Sequence, residues 1–99
     1  MNINEIPLSA DNQHFTVAIA GTTYRMRLVW RETFWCLDLL NNDQTPVALS
    51  LPLVTGADLL DAYDYLNLGF SLLVGAADGR DAPTKTDLGR FSHLYVITE

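Results

Sequence analysis

The sequence predicts an all-β protein: a small antiparallel barrel or two-layer sandwich of about six strands, with a packed loop or short helix between Asp58 and Tyr63. Three observations carry this. Large apolar side chains alternate with small or polar ones through residues 13–40. Two tight turns in that stretch each place those side chains on one common face. The rest of the chain continues as short apolar runs separated by turn-forming residues.

The meander is the clearest part. Phe15, Val17 and Ile19 alternate with Thr16, Ala18 and Ala20, and Tyr24, Met26, Leu28 and Trp30 alternate with Thr23, Arg25, Arg27 and Val29. This is the period of two of a half-buried strand. A two-residue loop at Gly21-Thr22 sets Ile19 against Tyr24, Val17 against Met26 and Phe15 against Leu28. A loop at Ala20-Gly21 keeps the same face with shifted partners, and the pattern alone does not choose between them. A three-residue loop is excluded, because it would turn one strand's apolar set outward. With Glu32-Thr33 as the second loop, Trp30 faces Trp35, Leu28 faces Leu37 and Met26 faces Leu39. Arg27 then meets Asp38 on the other face, an exposed pair worth about 0.5 kcal/mol.

Elsewhere the chain reads as follows. A polar lead runs into Ile6-Pro7-Leu8, where Pro7 restricts the segment to an extended or edge role. Asn41-Asn42-Asp43-Gln44 is a turn. Val47, Leu49 and Leu51 alternate as a fourth strand, stopped by Pro52. Leu68, Phe70, Leu72 and Val74 mark a fifth over residues 67–76, followed by a turn at Ala77-Asp78-Gly79-Arg80. Residues 81–89, which contain Pro83, read as an irregular loop. Residues 91–98 close the chain as a sixth strand, with Phe91, His93, Tyr95 and Ile97 on one side and Ser92, Leu94, Val96 and Thr98 on the other. Apolar character on both sides implies a central strand or one facing another subunit, so homo-oligomerisation through it is open.

Residues 1–99 are expected to form a single domain with one core, burying roughly 60–65% of the unfolded surface. Twelve acidic residues against six basic ones give a net charge of −6, which argues against a nucleic-acid partner. Arg25, Arg27 and Arg31 nevertheless cluster on the outer side of one strand, as a solvated face or a docking stripe. The one cysteine, Cys36, excludes an intrachain disulfide and lacks an adjacent base in sequence to activate it. The N-terminus has neither the basic head nor the apolar core of a signal peptide, and no run approaches the ~20 apolar residues of a membrane span. A soluble protein made in a reducing cytoplasm is expected.

No motif identifies a reaction. A zinc site needs three or four ligands, and the candidates around His14 and His93 are scattered, so no metal or other cofactor is expected. Asp58, Asp61 and Asp64 recur every three residues, but they lack the Gly-centred loop of a calcium site and read as a polar face that Asp58 caps. Asp78-Gly79-Arg80-Asp81 resembles half a calcium loop without its distal glutamate, and a hairpin turn accounts for it better. The glycines form no phosphate loop and the serines sit in no nucleophile elbow. The chain reads as non-enzymatic, with no catalytic residues.

Taken in order, several segments resemble one family. They are Ile6-Pro7-Leu8, then Gln13-His14-Phe15-Thr16-Val17 before a Gly hairpin, then Thr23-Tyr24-Arg25-Met26-Arg27-Leu28 and Trp35-Cys36-Leu37-Asp38-Leu39. Asp58-Leu59-Leu60, Leu68-Gly69-Phe70-Ser71-Leu72 and Leu88-Gly89-Arg90-Phe91-Ser92-His93-Leu94-Tyr95-Val96 follow. This pattern, from Ile6 to Thr98, is similar to the small baseplate plug proteins of contractile-tailed bacteriophages and prophages. The resemblance implies a structural virion component, made in the host bacterial cytoplasm. It would sit in the central baseplate hub and contact hub and tail-tube proteins. It carries over no catalytic residues and assigns no contacts. Arg and aromatic side chains dominate interface hot spots, so the interface candidates are Arg25, Arg27, Arg31, Phe91 and Tyr95. The competing reading is a small β-barrel that binds a ligand or glycan, which requires an internal pocket.

Overall fold

Seven strands in two antiparallel sheets make up the computed structural model, which describes residues 2–76, 79 and 82–98, with the side chain of Asp64 left aside. They are β1 (Asn2–Ile6), β2 (Gln13–Ile19), β3 (Thr22–Trp30), β4 (Trp35–Asn41), β5 (Pro46–Pro52), β6 (Phe70–Ala76) and β7 (Ser92–Thr98). One sheet has the order β2-β3-β4-β5 and the other β1-β7-β6. The two-layer sandwich is therefore the form adopted. Its layers are tied along one side, where Thr55 bridges Val74 and the Leu59 N–H donates to the Leu72 carbonyl at 2.8 Å.

The first hairpin uses the Ala20-Gly21 loop. Ile19 pairs with Thr22, Val17 with Tyr24 and Phe15 with Met26. Ala20 and Gly21 have φ of 52° and 83°, the double positive φ of a type I′ turn, whose twist matches that of the strands. The second hairpin has the predicted register: Trp30 with Trp35, Leu28 with Leu37, Met26 with Leu39 and Arg27 with Asp38.

Other elements differ from the sequence expectation for local reasons. β1 is an additional strand; its polar residues are exposed and only Ile6 is buried, so it shows no alternation. It forms because β7 offers a free side, which makes β7 the central strand that its two-sided apolar pattern implied. In β5 the expected alternation of Val47, Leu49 and Leu51 fails: Ala48 and Leu51 are buried while Leu49 is 43% exposed. Leu39 pairs with Ala48 and Leu37 with Leu51, so Leu49 and Ser50 together oppose Asp38. Ser50, at φ 58°, forms the β-bulge that reverses the facing. The helical segment is a short 3-10 helix over Asp61–Leu66, kinked at Tyr63, and begins later than expected. Asp58 Oδ1 accepts from the Leu60 and Leu72 N–H groups, both at 3.0 Å, which fastens this segment to β6 instead of starting a regular helix. Of the turn expected after β6, Ala77, Asp78 and Arg80 lie outside the described residues.

The core lies between the layers. Met26, Leu28, Leu37, Leu39, Leu53, Leu72 and Leu94 are fully enclosed, and Tyr24 meets Phe70 edge-on across the gap at 5.4 Å. Trp35 is 1% exposed, and its indole N–H donates to the Thr84 carbonyl at 2.9 Å. That carbonyl belongs to the loop read as irregular, which has definite internal bonding. Asp87, 5% exposed, accepts from the Thr84 N–H at 2.7 Å and the Ser92 hydroxyl at 3.0 Å through Oδ1. Gly89 completes the loop at φ 85°, and a Cβ there would overlap the Leu8 carbonyl oxygen. Only glycine satisfies both conditions.

Gly89→Ala should therefore cost about 3 kcal/mol or more, from the positive φ together with the backbone collision. Urea denaturation measures it as a lowered midpoint. Gly21→Ala, where no atom lies within 4 Å of the added Cβ, should cost only the conformational part, about 1–2 kcal/mol.

Candidate functional site

Because Tyr24, Met26 and Leu28 are buried, the alternation of β3 presents Arg25 and Arg27 on the outer face of the four-stranded sheet, and Arg31 follows at its end. The three guanidinium groups have different environments. Arg25 Nε donates to the Asn42 carbonyl at 2.9 Å. Arg27 donates through Nε and Nη2 to Asp38 Oδ2, at 2.9 and 2.5 Å. The Arg31 guanidinium makes no hydrogen bond or ion pair among the described residues. It borders a shallow apolar groove of about 510 Å³ lined by Phe34, Cys36, Ser50, Pro52 and Val54. Phe34 and Val54 are 37% and 40% exposed.

The Arg27–Asp38 pair is not the exposed pair expected from the strand pattern. The bulge in β5 folds over Asp38, leaving its side chain 8% exposed against 54% for Arg27, and the Ser50 N–H donates to Asp38 Oδ1 at 2.8 Å. Burial of the carboxyl opposes its ionisation. The Ser50 N–H, the hydrogen bonds and charge of Arg27, and the charge of Arg31 together outweigh that, and the pKa falls below its ordinary 3.8. Asp38 thus holds β3 and β5 to β4 through its two oxygens. Nothing in the sequence signalled this, since the bulge depends on a positive φ at a serine. Cys36 lies on the outer face as expected, but is buried against the groove at 8% exposure.

On the opposite layer, Tyr95 and Ile97 of β7 share the outer face with Ile3 of β1 and Leu73 of β6. The Tyr95 ring lies against Gly75. Phe91 precedes the strand rather than opening it. It is 53% exposed, and the Arg90 guanidinium sits 5.4 Å from its ring centre. The five candidate interface residues therefore fall on separate surfaces: the arginines on one layer, and Tyr95 and Phe91 on or beside the other.

The polar residues that could suggest chemistry are dispersed. His14 is exposed on β2, while His93 contacts Glu5 Oε2 at 2.7 Å on the other sheet. Asp58 is engaged by backbone N–H groups and Asp61 is exposed. Asp78, Arg80 and Asp81 are outside the described residues, as is the side chain of Asp64. Among the described residues no three His, Cys, Asp or Glu side chains converge on a metal position. An open cleft of about 940 Å³ runs past Asp58, Tyr63, Asn67 and Thr98, where β6 begins and β7 ends. The space between the sheets is occupied by the side chains named above.

These features define a small all-β protein that presents surfaces for contact. Over residues 3–99 the chain matches the family described as the cyanophage baseplate Pam3 plug gp18, and it belongs to that phage baseplate plug family. Its role is accordingly that of a structural component of a phage tail baseplate, associated with other baseplate proteins. Among curated proteins none matches it.

Asp38→Ala should cost about 1–3 kcal/mol, mainly by leaving the Ser50 N–H and the bulge without their acceptor, with the half-exposed Arg27 contributing little. The carboxyl pKa is depressed in the fold, so its contribution is full above the unfolded value of 3.8 and is lost as pH falls through the lower folded value. Thermal melts of the native chain and Asp38→Asn between pH 7 and pH 2 test this. The native midpoint should fall more steeply in the acid range.

Proposed function

We propose that the chain is a plug that occupies the central hub of the baseplate and contacts hub or tail-tube proteins. The observation that carries this reading is the family match over nearly the whole chain. The plug is non-enzymatic and acts as a single domain, residues 1–99, in the tail of the virion after synthesis in the host cytoplasm.

Two physical features support a docking role. Three of the six basic residues of a chain with net charge −6 lie along β3 and its end, so this outer face is locally basic on an acidic body. Arg31 there stands beside exposed Phe34 and Val54, a pairing of cation and apolar surface common at interface anchors. The exposed Phe91, under Arg90, supplies a second aromatic anchor.

Co-expression with the hub and tube proteins of the same tail cluster, followed by affinity purification, tests the assignment. The native chain should co-purify with at least one of them. The double variant Arg31→Glu, Phe34→Ala should weaken that complex about tenfold or more, a loss of roughly 1.4 kcal/mol. Failure of the native chain to associate with any hub or tube protein would remove the proposal.

A further inference from the structure

The sheet edges of this protein are not equally protected. β5 carries Pro46, Pro52 and the Ser50 bulge. β6 is covered by the Thr55 bridge and the Leu59–Leu72 hydrogen bond. β1 is five residues long, is followed by Pro7 and carries Glu5. These are devices that stop a sheet from recruiting another chain. β2 has none: its seven residues, QHFTVAI, include no Lys, Arg, Asp, Glu, Pro or Gly, and its pairing with β3 runs without a bulge.

The hairpin register shows which backbone groups of β2 are free. In a two-residue hairpin the closing pair, here Ile19 and Thr22, exchanges both hydrogen bonds, and hydrogen-bonded pairs then recur at every second residue. Gln13, Phe15, Val17 and Ile19 therefore turn their N–H and C=O groups toward β3. His14, Thr16 and Ala18 turn theirs away from the sheet, and these three residues are exposed. No hydrogen bond from a described residue covers them. On the inner face of the same strand, Phe15 and Val17 pack against the core but remain only half-buried, so the core is open at this edge.

We infer that β2 is the self-association edge of the protein, pairing antiparallel with β2 of a second copy about a two-fold axis at Thr16. That register sets Thr16 against the second copy's Thr16 and His14 against its Ala18, three pairs that each exchange two hydrogen bonds. On the inner face it sets Phe15 against the second copy's Val17 and Gln13 against its Ile19. The aromatic–β-branched pair is a favourable one, no like charges meet, and the two cores become continuous. A second copy is the occupant because the strand is complementary to itself in this register. The inference does not depend on the baseplate role.

Thr16 allows a selective test. Its N–H is not used by β3, so Thr16→Pro removes the central intermolecular donor while leaving the intrachain ladder in place. Thr16→Glu places a carboxylate opposite Arg25 within the chain, the residue that Thr16 faces in β3, and opposite a second carboxylate across the axis. Light scattering with size exclusion on the full chain should give twice the chain mass for the native protein. It should give the monomer mass for both variants, with the native circular dichroism spectrum retained. If Thr16→Pro fails to fold, Thr16→Glu decides alone. A native chain that stays monomeric up to its solubility limit overturns the inference, as does a dimer that folded Thr16→Glu leaves intact. A monomeric native chain whose complex with a tail protein is lost in Thr16→Glu also overturns it, and assigns the edge to a foreign strand.

Discussion

Trp35 joins the parts of the sandwich that sequence separates. Its ring is enclosed and meets Trp30 edge-on at 5.4 Å, which ties the turn at Glu32-Thr33 to the core. Its carbonyl accepts from the Leu53 N–H at 2.9 Å and extends the β4–β5 pairing toward the point where the two sheets meet. Its indole N–H holds Thr84, so the loop that leads into β7 is anchored to β4. A buried indole without an acceptor would carry a desolvation penalty of about 1–3 kcal/mol, so the loop carbonyl is a requirement of burying the ring at all. The four-stranded meander, the crossing between layers and the loop before the last strand all meet at this one residue.

Parity arguments recovered the parts of the fold that obey a strict period of two. Both hairpins in residues 13–40 place Tyr24, Met26, Leu28, Trp35, Leu37 and Leu39 inside, as alternation demanded. Parity is blind to a shift of two, however. It left Ala20-Gly21 and Gly21-Thr22 equivalent, and the choice fell to backbone twist, which favours positive φ at both central residues. Where a single residue left the period, as Ser50 does, the reading of the residues before it inverted: Leu49 came out and Ala48 went in, while Leu51 stayed inside. β1 escaped notice because a short edge strand held by its neighbour's backbone needs no apolar alternation of its own.

The same limit explains how much of the interaction surface could be read. The outward placement of Arg25 and Arg27 follows from period two alone. Their differing availability does not, because it depends on partners remote in sequence: the Asn42 carbonyl for Arg25, and a carboxylate enclosed by the bulge for Arg27. Arg31 makes no hydrogen bond among the described residues and borders a groove assembled from the ends of β4 and β5. The Asp58, Asp61 and Asp64 spacing reads as a polar face capped by Asp58, and Asp58 does engage backbone N–H groups, one of them on the distant strand β6. Short-range spacing reports local geometry well, whereas a buried polar contact is set by which distant strand arrives opposite.

Charge and edge chemistry act at different ranges in this molecule. A net charge of −6 makes copies repel one another at long range, and that repulsion is screened beyond about 8 Å at physiological ionic strength. The backbone groups of β2 act only at contact, and the strand itself has no carboxylate to repel an approaching chain. An acidic body therefore resists random aggregation, while at the β2 edge, which has no carboxylate, proline, bulge or covering segment among the described residues, strand pairing meets no local charge. Pairing of two copies through this edge is consequently favoured by salt, which screens the repulsion, and by high protein concentration. The locally basic outer face of the same sheet adds no acidic barrier, since Arg25 and Arg27 lie on the strand next to that edge. The distribution of charge thus leaves open the one edge of this sandwich that, among the described residues, carries no Pro, charge, bulge or covering segment.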